Sequence, residues 1–125
     1  MIMDALILAA TDDTPGIIFD PQSDNFEINH RSLPENAIDF YNPIFEWINN
    51  YFSSTPGKFA LNVKLEYFNT ASAKQIAKLL LLLEKFNART KVIVNWYYKP
   101  EDKDMLASGI RFSKLIPIEF NFIEF

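Results

Sequence analysis

Residues 59–98 read FALNVKLEYFNTASAKQIAKLLLLLEKFNARTKVIVNWYY, and the changing apolar period along them decides the fold. Phe59, Leu61, Val63, Leu65 and Tyr67 alternate with Ala60, Asn62, Lys64 and Glu66, the pattern of a strand with one buried face. Ile76, Leu79, Leu80 and Leu83 then recur at three- and four-residue spacing, which predicts a helix over Ala73–Asn87. Val92–Tyr98 returns to a strand. Beyond it, Glu101–Ser113 reads as a helix and Ile118–Glu124 as a last strand, with Ile118, Phe120 and Phe122 on one face. Strand, helix, strand, helix, strand implies right-handed crossovers and a largely parallel sheet.

Toward the N-terminus the same reading gives a helix over Pro34–Phe52, with Ala37, Phe40, Tyr41, Ile44, Trp47, Ile48 and Tyr51 on its apolar side. Ser32-Leu33-Pro34-Glu35 fits a capping box at its start, and Pro43 predicts a kink or a split. Ile17–Asp20 and Asn25–Ile28 read as a hairpin joined by Pro21–Asp24, and Ala5–Ala9 as a further edge strand. The fold class is α/β: one domain over residues 1–125, with a mixed, mainly parallel sheet, an antiparallel N-terminal hairpin and three helices.

Composition narrows the function. With 125 residues, 49% apolar and 12 Phe, the chain can bury a sizeable core. Sixteen acidic against 12 basic residues give a net charge of −4, which argues against nucleic acid and anionic membranes as partners. Zero Cys and the single His30 remove thiol chemistry and paired-imidazole metal sites, and three scattered Gly cannot form a phosphate-cradling loop. No cofactor is expected. MIMDALILAATDD, at the start, lacks the basic head and apolar block of a secretory leader. No window approaches the ~20 apolar residues of a membrane span, so a cytoplasmic location is expected.

The segment with chemical content is Leu65–Lys74, the turn from a central strand into a helix, on the edge where α/β sheets place their sites. Helix N-termini present unpaired N–H groups and a partial positive charge, which suit an anion. Ser72-Ala73-Lys74-Gln75 fits a capping box and makes Ser72 the expected cap. Thr70 then falls just outside, with a hydroxyl that helix formation does not require. A phosphate on Thr70 or Ser72 would add about −1.5 to −2 charges there, and Lys74 stands about one turn on to pair with it.

Asn69-Thr70, Ser72 and Lys74 after an apolar strand resemble the phosphorylated turn of the SiaC family of bacterial regulatory phosphoproteins. The likeness extends to Thr14-Pro15 with Phe19-Asp20, to Arg31-Ser32 with Pro34-Glu35-Asn36-Ala37, and to Phe40-Tyr41, Pro43 and Trp47. It continues through Leu65–Thr70, Trp96-Tyr97-Tyr98, Glu101-Asp102 and Asp104-Met105. Ala71 stands where the family commonly has Ser, and His30 where Gly often precedes Arg. The resemblance implies a fold akin to the STAS domains of anti-sigma-factor antagonists. It also implies a partner switch: a protein kinase phosphorylates Thr70, a PP2C-type phosphatase restores it, and the unphosphorylated form binds an effector such as a diguanylate cyclase. Ser72 is the second candidate acceptor.

Other side chains are weighed beside this turn. Trp96 reads as core, whereas Tyr97 and Tyr98 are expected near Thr70 as part of a docking surface. On the second helix Lys78 and Leu81 lie opposite the apolar stripe, an arrangement suited to a partner. Arg31, Glu35 and Asn36 open the first helix as capping or partner-binding residues. Glu101, Asp102 and Asp104 match no metal-loop spacing, and His30 reads as surface. The reading is a non-enzymatic signalling protein, with a constitutive protein–protein interaction module as the alternative.

Overall fold

The computed structural model describes residues 3–125; Met1 and Ile2, at the head of the stretch tested for a leader, lie outside the described residues. Among those described there are six strands and three helices. Strands β1 (Leu6–Leu8), β2 (Gly16–Asp20) and β3 (Asn25–Ser32) come first, followed by α1 (Ala37–Phe52) and β4 (Lys58–Phe68). Then come α2 (Thr70–Phe86), β5 (Lys91–Tyr98), α3 (Lys103–Leu115) and β6 (Glu119–Glu124).

The strands lie in sequence order, β1-β2-β3-β4-β5-β6, in one sheet. β1, β2 and β3 pair antiparallel, and β3 through β6 pair parallel. Sequential parallel strands joined by right-handed crossovers put α1, α2 and α3 on a single face. Side chains therefore divide by parity. Phe59, Leu61, Val63 and Leu65 of β4, with Val92, Val94 and Trp96 of β5, point into the helical layer and are buried. The opposite face stays polar. Asn62, Asn95 and Asn121 stand side by side across three strands and form an amide ladder, with bonds of 3.0 and 3.1 Å. Lys64 Nζ reaches Glu27 at 3.3 Å on the same face.

Two indole N–H groups anchor the layers. Trp96 Nε1 donates to the Met105 carbonyl of α3 at 2.9 Å, and Trp47 Nε1 to the Asp4 carbonyl at 2.9 Å. Gly109 lets α3 approach this closely, because a Cβ there would lie 2.5 Å from the Trp96 ring. Pro43 neither splits α1 nor ends it. Tyr41, Ile44, Trp47 and Ile48 bury the helix on both sides of the proline, which outweighs the ~3 kcal/mol of a lost bond and ring clash.

Beside the C-terminal end of β4 the register slips. His30 pairs with Leu65 but Arg31 pairs with Tyr67, so Glu66 is the extra residue of a bulge. The slip reverses the phase of the alternation. Tyr67, read from the sequence as inward, is 45% exposed, while Phe68 packs against the core. His30 takes φ 75° to make the bulge, a left-handed conformation that costs a non-glycine residue about 1–2 kcal/mol. Its imidazole lies 3.5 Å from Glu66 at the surface. His30→Gly should therefore stabilise the fold by roughly 0.5–1 kcal/mol in urea unfolding, the relief of strain exceeding the added chain entropy. A destabilised variant would show that the His30 side chain contributes more than its backbone costs.

Candidate functional site

α2 starts three residues before the expected Ala73, and its cap is Asn69, not Ser72. Asn69 has extended backbone (φ −85°, ψ 177°), and its Oδ1 accepts the Ser72 N–H at 2.8 Å. The Asn69 carbonyl accepts from Ala73 at 2.9 Å, and the Asn69 N–H donates to the Ser32 carbonyl at 3.1 Å, fastening the turn to β3. The capping box proposed at Ser32 is likewise corrected. Asn36 caps α1, with its Oδ1 accepting from the Asp39 N–H at 3.1 Å.

Both serines are instead fully buried and bonded to each other. Ser32 Oγ donates to Ser72 Oγ at 2.8 Å and, with its proton so committed, accepts the Tyr41 hydroxyl at 2.7 Å. This chain of hydroxyls ties β3, α1 and the first turn of α2 together. Burial pushes the Tyr41 phenol up to about 12, against a smaller downward pull from the Ser32 bond. The sequence pattern puts Tyr41 in the core stripe and Ser32 and Ser72 in caps. The signal for burial is a hydroxyl at an inward phase of each element.

With Ser72 withdrawn into the core, Thr70 is the exposed hydroxyl of this turn, at the first helical position. Its own N–H and that of Ala71 have no acceptor within the helix, and the helix dipole adds partial positive charge. A cleft of about 290 Å³ opens between the starts of α1 and α2, and Glu35, Asn36, Ile38, Ala71, Lys74 and Gln75 line it. Lys74 lies four residues beyond Thr70 on the same exposed side of α2. Past Phe68 lies a second cleft of about 220 Å³, walled by Glu66, Tyr67, Asp102 and Asp104. The Arg31 guanidinium sits 5.5 Å from the centre of the Tyr67 ring on this edge.

The structure thus gathers Thr70, Asn69, Lys74, Arg31, Glu35 and Asn36 at the C-terminal edge of the sheet. Lys78 and Leu81 continue along the exposed side of α2. Tyr97 goes elsewhere. It lies on the polar sheet face, with Lys64 Nζ 4.8 Å from its ring centre and the Phe125 ring 5.5 Å away. Tyr98 is half-buried against the core. Strand alternation and one-sided helices make it impossible for Tyr97 to share a surface with Lys78 and Leu81. Asp102 caps α3 by accepting from the Met105 N–H at 3.0 Å. Among the described residues, no three His, Cys, Asp or Glu side chains gather to hold a metal ion.

The model of the SiaC family regulatory phosphoprotein matches residues 8–125. An uncharacterized protein of Pseudomonas aeruginosa strain UCBPP-PA14 is 28% identical over 97 residues, 77% of each chain. SiaC of Pseudomonas aeruginosa superposes with a TM-score of 0.88 at 24% identity, covering 98% of this chain and all of that one. SiaC in its crystal structure with the diguanylate cyclase SiaD, of which it is described as the activator, gives 0.89 at 24% identity, covering 96% of this chain and 99% of that one.

The contrast between the two hydroxyls is measurable by urea unfolding of carboxylate variants. Thr70→Asp should stabilise the fold by about 0.3–1 kcal/mol, because a carboxylate at an exposed helix start meets the dipole. Ser72→Asp should cost roughly 3 kcal/mol or more, because it buries a charge with no partner. Equal effects would contradict the buried position of Ser72.

Proposed function

The chain belongs to the SiaC family of regulatory phosphoproteins, and on that basis we propose that it is a non-enzymatic switch, acting as one domain, in which phosphorylation of Thr70 selects the partner. The observation that carries this reading is the opposite fate of two neighbouring hydroxyls. Thr70 is exposed on a helix start, and Ser72 is bonded inside the core. A protein kinase would phosphorylate Thr70 and a PP2C-type phosphatase would reverse it. The unphosphorylated form would bind an effector, by analogy with SiaC and the cyclase SiaD a diguanylate cyclase.

Physical chemistry supports a switch that leaves the fold in place. A phosphate of about −1.5 to −2 charges at the first helical position faces two free N–H groups and the positive end of the dipole, so α2 tolerates it. Its effect falls on the outside. It would turn an uncharged hydroxyl one helical turn from Lys74 into a strongly hydrated anion, and an effector seated there would have to strip that water. Thr70 is on this account the kinase's substrate and not a nucleophile of the protein's own. Asn69 holds the turn, Lys74 offers the nearest pairing charge, and Arg31, Glu35 and Asn36 border the surface the partner meets.

Calorimetric titration against the diguanylate cyclase of the same host tests the proposal. Thr70→Asp should weaken binding at least tenfold, about 1.4 kcal/mol, while Thr70→Ala binds like the unmodified protein. Equal affinity for all three forms would make the protein a constitutive interaction module.

A further inference from the structure

The two edges of the sheet are unlike. β1 is three residues long, and so short an edge offers a second chain little to pair with. β6 runs for six residues in unbroken register with β5, with no proline, lysine or bulge to blunt it. Among the described residues no strand pairs with its outer side. Which backbone groups face outward follows from the ladder. The Phe125 N–H donates to the Tyr98 carbonyl at 3.1 Å, and Tyr98 stands opposite Glu124. Alternate residues of a parallel strand bond to the same neighbour, so the odd-numbered residues of β6 turn their N–H and C=O toward β5. Phe120, Phe122 and Glu124 turn theirs to the free edge.

The side chains of this edge are symmetric about Asn121. Phe120 and Phe122 flank it on the helical face, across from Val94 and Trp96, with ring centres 6.1 Å apart; Phe122 is 37% exposed. Asn121 ends the amide ladder on the open face, where its Nδ2 donates to Asn95 and its Oδ1 remains free to accept. An antiparallel partner keeps both helical layers on one side of a joint sheet only if residues of equal parity stand opposite each other. A two-fold axis at Asn121 meets that condition. It sets Phe120 opposite Phe122 of the second copy, twice, as hydrogen-bonded pairs that use the outward N–H and C=O groups. It sets Asn121 opposite Asn121 as a non-hydrogen-bonded pair, where side chains meet most closely and Cα atoms lie about 4.5 Å apart. Charge agrees with this register. Glu119 faces Ile123 and Glu124 faces Ile118 of the other copy, so no carboxylates are opposed, and Glu119 is already paired with Lys91 at 2.7 Å.

We propose that the outer side of β6 takes a second copy of this chain, antiparallel about Asn121, joining two sheets in an isologous dimer. The amide ladder then continues from one open face to the other, and the phenyl rings of Phe120 and Phe122 from both copies meet on the helical side. The proposal is independent of the switch reading, because Thr70 belongs to α2 and β6 contributes nothing to its turn.

Sedimentation of the full chain should show a monomer–dimer equilibrium that shifts to dimer as concentration rises. Asn121→Asp, at an exposed position, opposes two carboxylates at the axis and should weaken the dimer at least tenfold. The chain has no cysteine, so a single one introduced at the edge reports its own neighbour. A Cα separation of about 4.5 Å lies within the ~4.4–6.8 Å that a disulfide spans. Under mild oxidation Asn121→Cys should therefore cross-link at least tenfold faster than Glu119→Cys, Ile123→Cys or Ile7→Cys, the last on exposed β1. Glu119→Cys mixed with Ile123→Cys should cross-link to each other, because those positions face one another. A chain that stays monomeric at every concentration would overturn the proposal. So would a dimer indifferent to Asn121→Asp, or equal cross-linking of the four cysteine variants. A polymer that Ile7→Asp disperses would overturn it as well, because β6 would then pair with β1 head to tail.

Discussion

The chain of buried hydroxyls from Tyr41 through Ser32 to Ser72 is the constraint on which the site depends. Each bond is worth only about 1 kcal/mol net, but a member left unpaired in the core would cost about 1–3 kcal/mol. That asymmetry fixes the rotational setting of α2. Turning the helix to expose Ser72 would leave one hydroxyl proton of the buried Ser32–Tyr41 pair without an acceptor, and would pull Ile76, Leu79 and Leu83 from the core in the same motion. Thr70, two residues away and about 200° around the helix, is thereby held outward. The exposure of one hydroxyl follows from the burial of the other.

The sheet supplies the second constraint. Its helix-free face is held by the Asn62–Asn95–Asn121 ladder and the Glu27–Lys64 pair, a wet and internally satisfied surface. The helical face carries the aromatic core, where Phe19, Phe26, Phe59 and Trp47 pack with ring centres 4.4–6.5 Å apart. All three helices begin on the edge where the parallel strands end, so Asn36, Asn69 and Asp102 cap them side by side along one border. A regulatory surface there can read charge at Thr70 without disturbing the core beneath.

Much of the architecture was legible because its periods are unambiguous. β4 and β5 alternate cleanly, and the leucine stripe of α2 admits one burial face. At the start of α2, residues with equal local preferences compete for the cap. Asn69 and Ser72 are both good caps. Asn69 prevails because a tertiary partner, Ser32, claims the Ser72 hydroxyl, and no local rule contains that partner. Alternation puts Tyr67 inward because it carries no mark of the Glu66 bulge. His30, opposite the bulge, carries a φ of 75°, a conformation that glycine adopts without strain. Strand direction puts Tyr97 on the same edge as Thr70, whereas the one-sided helical layer separates them.

The most direct test of the account is intact mass followed by peptide mapping of the protein purified from its own host, grown with the protein kinase proposed to act on it present and then with that kinase deleted. The account predicts a single kinase-dependent phosphate on Thr70. A phosphate on Ser72, or no phosphate in either state, would contradict it.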